Sequence, residues 1–126
     1  MYELSVSRDF VAQHYLTVPS PPPGEGEPHS HHFEADVRFQ APELGPYGYV
    51  VDIDAVDAAL DELVDRYRDE LLNDLPEFGD DNPSVERFAR LFGDRLVDRL
   101  DDDTPTALTV RMWEDDVAWA SHSREL

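Results

Sequence analysis

Three histidines in two places have the type and spacing to hold a metal ion: His14, and the pair His29-x-His31 at the head of HSHHFEADVRFQA. Neutral imidazole is a good zinc ligand, and a catalytic zinc commonly takes three protein ligands at about 2.0 to 2.1 Å, leaving a fourth position open. Strand side chains alternate between faces, so every second residue from His29 shares a face: His29, His31, Phe33, Ala35, Val37, Phe39. The set between them, Ser30, His32, Glu34, Asp36, Arg38 and Gln40, is polar. Taken alone, the pair reads equally as two ligands on one strand face or as a solvated, His-rich loop edge. His14, on the apolar face of a second strand pattern, favours the metal. Glu114 continues the inward series Leu108, Val110, Met112 and brings a carboxylate to the rim of the same face. There it either opens the turn Glu114–Asp116 or meets a ring edge carrying two N–H donors.

The elements that must position these side chains follow from hydrophobic period. Between Tyr2 and Tyr15 the even positions are Tyr2, Leu4, Val6, Arg8, Phe10, Ala12 and His14, a strand pattern interrupted once. PSPPPGEGEP cannot continue a strand and predicts a loop to the strand that starts at His29. PELGPYG is a turn, and YVVDI a short run able to pair back as a hairpin. From Asp54 the period turns helical through Val56, Leu60, Leu63, Val64, Tyr67 and Leu71. FGDDNPS interrupts it; Asn82 is then the expected N-cap, with Pro83 at the first position of a second helix carrying Val85, Phe88, Ala89, Phe92 and Leu96. Leu108–Met112 and VAWAS form a closing hairpin. The order is ββααββ, an α+β fold in one domain, residues 1–126, with sheet edges that call for pairing or cover. Oligomerisation through the sheet is therefore expected.

Composition limits the partners. The 126 residues carry 29 acidic against 10 basic side chains, a net charge of −19, which excludes nucleic acid and anionic membrane as partners because phosphate is bound by Lys and Arg. Every basic residue is Arg and none is Lys. With the acid excess, this points to a protein adapted to a salt-rich cytoplasm; chance composition is the alternative. There is no cysteine, so disulfides, thiolate ligands and a cysteine nucleophile are absent. The first residues, MYELSVSRDF, lack a signal-peptide pattern, and no run approaches the roughly 20 apolar residues of a membrane helix, so a cytoplasmic location is expected.

The segments FVAQHYL, HSHHFEADVRF, GYVVDI, LLNDLPEF, NPSVE and VRMWED, in this order and at this spacing, are similar to the pattern of the 6-pyruvoyltetrahydropterin synthase and 6-carboxytetrahydropterin synthase family over nearly the whole chain. The resemblance implies a tunnelling fold, an antiparallel sheet with two helices on one face, in which trimers close a barrel and stack as hexamers with active sites between subunits. It implies that His14, His29 and His31 are zinc ligands, that Glu114 anchors a pterin ring, and that Ser84 stands where the family often has a substrate-contacting threonine. Two positions depart from the pattern. Where the family has a catalytic cysteine, four residues before the first His of H-x-H, this chain has Glu25, with Glu27 a rival. Where the family has an Asp-His pair, it has Arg68 and Asp69. One branch of the family also uses glutamate for the cysteine and cleaves the pterin side chain instead of rearranging it.

The expected activity is a zinc-dependent pterin lyase acting on dihydroneopterin triphosphate, serving a deazapurine tRNA-modification precursor or a pterin cofactor, with proton transfer by Glu25 and Asp69. The alternatives are side-chain cleavage, a non-catalytic zinc and pterin-binding paralogue, and an acidic structural oligomer whose histidines hold no metal. In a GEGE loop, Glu25 also reads as a solvated surface residue.

Overall fold

A computed structural model describes residues 1–126. Four strands, β1 (Tyr2–His14), β2 (His29–Ala41), β3 (Ala107–Glu114) and β4 (Ala118–Glu125), form one antiparallel sheet in the order β1-β2-β3-β4. Two helices, α1 (Ile53–Tyr67) and α2 (Val85–Val97), lie between β2 and β3 in the chain. The ββααββ order holds. Both helices pack on one face of the sheet, α1 against β1 and α2 against β3 and β4.

The alternation read from the sequence is what the sheet buries. Phe10, Ala12, Phe33, Ala35, Val37, Phe39, Leu108, Val110 and Met112 face the helices as part of a core of 25 buried apolar residues. From α1 come Val56, Ala59, Leu60, Leu63, Val64 and Tyr67; from α2, Phe88, Ala89, Leu91, Phe92 and Leu96. α2 sits close to the sheet because Gly93 lacks a side chain: a Cβ there would lie 3.2 Å from Val110 Cγ2. An apolar face of period 3.6 on each helix thus meets a face of period 2, and burial of these side chains, about 1.5 to 3 kcal/mol for each large one, drives the assembly.

Three local expectations are corrected. Tyr49–Ile53 is not a strand: Val50 and Val51 are buried in the core, while Asp52 caps α1, its carboxylate accepting from the backbone N–H of Asp54 and Ala55. A capping carboxylate immediately before an apolar period starts a helix and leaves no room for a hairpin. The cap of α2 is Ser84, whose Oγ accepts from Arg87 N–H at 3.1 Å, and not Asn82; the helix begins at Val85, so Pro83 lies outside it. The third concerns Leu71, which continues the periodicity of α1 but lies beyond its end. There the chain turns through Asp69, whose φ is +61°, and its backbone runs along β1: Asp69 N–H donates to Val11 O at 2.7 Å and Gln13 N–H to Glu70 O at 2.8 Å. Unpaired edge groups of β1 have drawn the segment out of the helix.

Candidate metal centre

The register of the first two strands sets the centre. His14 is the last residue of β1 and pairs with His29, the first of β2; His31 pairs with Ala12, two residues along on the same face. The three rings stand at centroid distances of 4.7, 4.9 and 4.8 Å, and their candidate ligand atoms all lie within 4.8 Å of one another. Phe33 forms an apolar floor, its ring 6.0 Å from that of His14 and 5.9 Å from that of His31. The end of β1 is held by Asn73, which accepts from Tyr15 N–H at 2.9 Å and donates to Tyr15 O at 3.0 Å.

Each ring is fixed by its Nδ1. His14 Nδ1 donates to Pro83 O at 3.1 Å, His29 Nδ1 to Glu27 O at 2.8 Å, and His31 Nδ1 to a carboxylate oxygen of Asp115 at 2.7 Å. All three partners are acceptors only, so each Nδ1 carries a proton and Nε2 is the nitrogen left for a metal. Burial pushes the His14 imidazole down to about 4, with the neighbouring His31 and His29 acting in the same direction against the Pro83 hydrogen bond. His14 is therefore neutral at neutral pH. His29 Nε2 is buried without any hydrogen-bond partner. A buried nitrogen without a partner, facing two other imidazoles, makes a candidate metal site, and this donor set fits zinc.

Glu114, opposite Phe33 on β3, brings its Oε1 to 3.7 Å from His31 Nε2. Burial pushes its carboxyl above the usual range; the charges of Asp115 and Glu25 act the same way, against His31 and His29. Glu25 is half-buried in the loop of residues 15–28, where its N–H donates to Pro22 O and its carbonyl accepts from Leu16 N–H. It is close enough to contribute to the field at Glu114. The side chain of Glu27 is exposed, and only its carbonyl serves the centre. Glu25 is thus the better placed of the two.

Two residues proposed from the sequence stand apart. Ser84 Oγ is occupied as the cap of α2 and reaches the centre only through its neighbour, Pro83 O. Asp69 is exposed in the turn on the outer edge of β1 and shares no hydrogen bond or ion pair with the three histidines. Conversely, sequence reading passed over Asp115 as a turn residue. Its left-handed turn conformation, φ +53°, is what brings it to His31, and no period in the sequence signals that.

None of the cavities of the single chain is lined by the histidines. The largest, about 400 Å³, lies at the other end of the sheet among Gly45, Tyr47, Tyr49, Asp52, Asp54, Asp102 and Thr104. The 15–28 loop and the β3–β4 turn border the centre instead, through Glu27 O on His29 and Asp115 on His31.

A family model described as 6-pyruvoyl tetrahydropterin synthase matches residues 3–125. Among solved structures, the 6-pyruvoyl tetrahydropterin synthase of Plasmodium vivax superposes with a TM-score of 0.84 at 14% identity, covering 99% of this chain and 98% of that one. The synthases of Plasmodium falciparum (TM-score 0.82, 12% identity, 99% and 98% covered) and Caenorhabditis elegans (0.79, 16%, 98% and 95%) share the fold. The P. vivax protein has also been solved as catalytic-residue mutants in which a glutamate is replaced by alanine or by cysteine, with TM-scores of 0.82 and 0.83. No curated protein matches the chain.

Proposed function

The chain belongs to the 6-pyruvoyl tetrahydropterin synthase family, a family of pterin-processing lyases, and on that premise we propose that it is a zinc-dependent lyase acting on dihydroneopterin triphosphate, with His14, His29 and His31 as zinc ligands. One observation carries the reading: three imidazoles, each held by its Nδ1, converge their free Nε2 atoms, and one of these is buried with nothing to bond. Zinc at such a site supplies Lewis-acid chemistry, making a C–H beside a substrate oxygen more acidic. The chain's own residues do the rest. Glu114 receives two N–H groups of the pterin edge, as a bidentate carboxylate does. Glu25 takes the proton from the side-chain carbon, and the low polarity of the Phe33 floor strengthens these contacts.

A second reading, side-chain cleavage, is favoured by Glu25 standing where the family has cysteine. The P. vivax synthase has a glutamate as a catalytic residue, which supports a catalytic role for Glu25 under either reading. Asp69, on the edge of β1 and away from its own chain's histidines, is assigned to the site of an adjacent copy. That assignment fits a centre with no enclosing cavity and a sheet in which β4, and β1 before Val11, have no strand on their outer side, as in a trimeric or hexameric assembly with sites between subunits.

The test is turnover of dihydroneopterin triphosphate by zinc-loaded protein in molar potassium chloride, with products identified by mass. A carboxy- or pyruvoyl-tetrahydropterin supports the first reading and a hydroxymethyl-pterin the second. One zinc per chain with bound pterin and no product identifies a non-catalytic paralogue, and absence of zinc binding overturns both.

A further inference from the structure

Asp115 is the one carboxylate that fixes a histidine of the centre. Its Oδ2 accepts from His31 Nδ1 at 2.7 Å, its Oδ1 accepts from His32 N–H at 3.0 Å, and its own N–H donates to His32 O at 2.7 Å. These three bonds clamp the β3–β4 turn onto β2. To make them Asp115 adopts φ +53°, a left-handed conformation that costs a non-glycine residue on the order of 1 kcal/mol and is tolerated best by Asn, Asp and Gly. The other two histidines are locked by backbone carbonyls, which are neutral and cannot be mutated away.

We infer that Asp115 is a positioning residue for the metal centre: its carboxylate locks His31 in the Nδ1–H tautomer, aims Nε2 at the ion, and ties that ligand to the adjacent Glu114, so that ring anchor and metal ligand move together. A carboxylate accepting from the far nitrogen of a ligating histidine makes the near nitrogen a better donor, and losing such a partner typically weakens metal binding about 10- to 100-fold. This rests on the zinc reading above.

The test compares zinc affinity, by competition with a chromophoric chelator, in wild type, Asp115→Asn and Asp115→Gly. Both replacements suit φ +53°; Asn keeps an acceptor without the charge and Gly removes both. Expected are a loss of at least tenfold in Asp115→Gly and a smaller loss in Asp115→Asn, while melting of the metal-free proteins reads the loss of the turn clamp separately. Affinity of Asp115→Gly within twofold of wild type overturns the inference while leaving the zinc reading intact. Should Asp115→Gly fail to fold, Asp115→Asn decides, and wild-type affinity there overturns the role of the charge. If wild type itself binds no zinc, the reading beneath has failed instead.

Discussion

At the scale of single residues, side chains that would hold an ion under the proposed reading are separate from the side chain that would move a proton. Glu25→Gln removes a base and keeps its size and hydrogen bonding, so turnover is expected to fall by 10² or more with zinc still at one per chain. Glu27→Gln leaves its carbonyl on His29 and is expected to turn over like wild type; the two variants assayed together, with zinc counted by mass spectrometry, separate the rivals. Ser84 gives a different signature. As a helix cap, Ser84→Ala costs about 1 kcal/mol of stability, read from urea unfolding, whereas a pure substrate contact would raise KM and leave the midpoint unmoved. The histidines were legible in the letters because alternation alone assigns a face, and a face of two strands in register collects His14, His29 and His31. Asp115 was not, since its role depends on a turn conformation that period and composition do not encode.

At the scale of elements, one ion network joins the helices behind the site. Glu77, in the connection after α1, accepts two bonds from Arg66 of α1 at 2.7 and 2.8 Å, one from Tyr67 Oη at 2.9 Å, and meets Arg95 of α2 at 2.5 Å. Burial on its own would push the Glu77 carboxyl up, but the hydrogen bonds from Arg66, its backbone and Tyr67 outweigh it and bring the group down to about 2 from an ordinary 4.5. A depressed folded value means stabilisation that is complete above about pH 4.5 and is lost as the pH falls through about 2. Glu77→Gln should remove that acid dependence from the unfolding midpoint. It should also destabilise at neutral pH by roughly 3 kcal/mol, the low end for a broken buried pair because Arg66 and Arg95 are 30% and 31% exposed. The helices themselves were readable from their apolar periods. Their boundaries were not: capping by Asp52 and Ser84 and the pull of the β1 edge on residues 69–71 are decided by tertiary partners that a local pattern lacks.

At the scale of the whole molecule, the net charge of −19 acts on everything at once. Its ion pairs, such as Arg8 with Asp57 and Asp61 or Arg99 with Glu62, leave most carboxylates without a cation. Repulsion among them is screened within about 10 Å at 0.1 M salt and about 3 Å at 1 M. The urea midpoint is therefore expected to rise steeply between 0.1 M and 2 M potassium chloride; a flat response would show that the acid excess carries no stability cost. No helix is long and apolar enough to cross a membrane. The architecture was legible as ββααββ because the fold is a sum of amphipathic faces, while what covers the free edges of the sheet is decided by surfaces that a single chain leaves open.

The pairing of His14 with His29, last residue of one strand and first of the next, has a mechanical side as well. Between them runs the proline- and glycine-rich segment 15–28, which has no strand or helix of its own. An ion shared by the two ends is a cross-link that shortens the unfolded chain's freedom as a disulfide does, in a protein with no cysteine to make one. If the three histidines hold zinc as proposed, chelation is expected to loosen the hairpin's root, and faster protease nicking within 15–28 would report it.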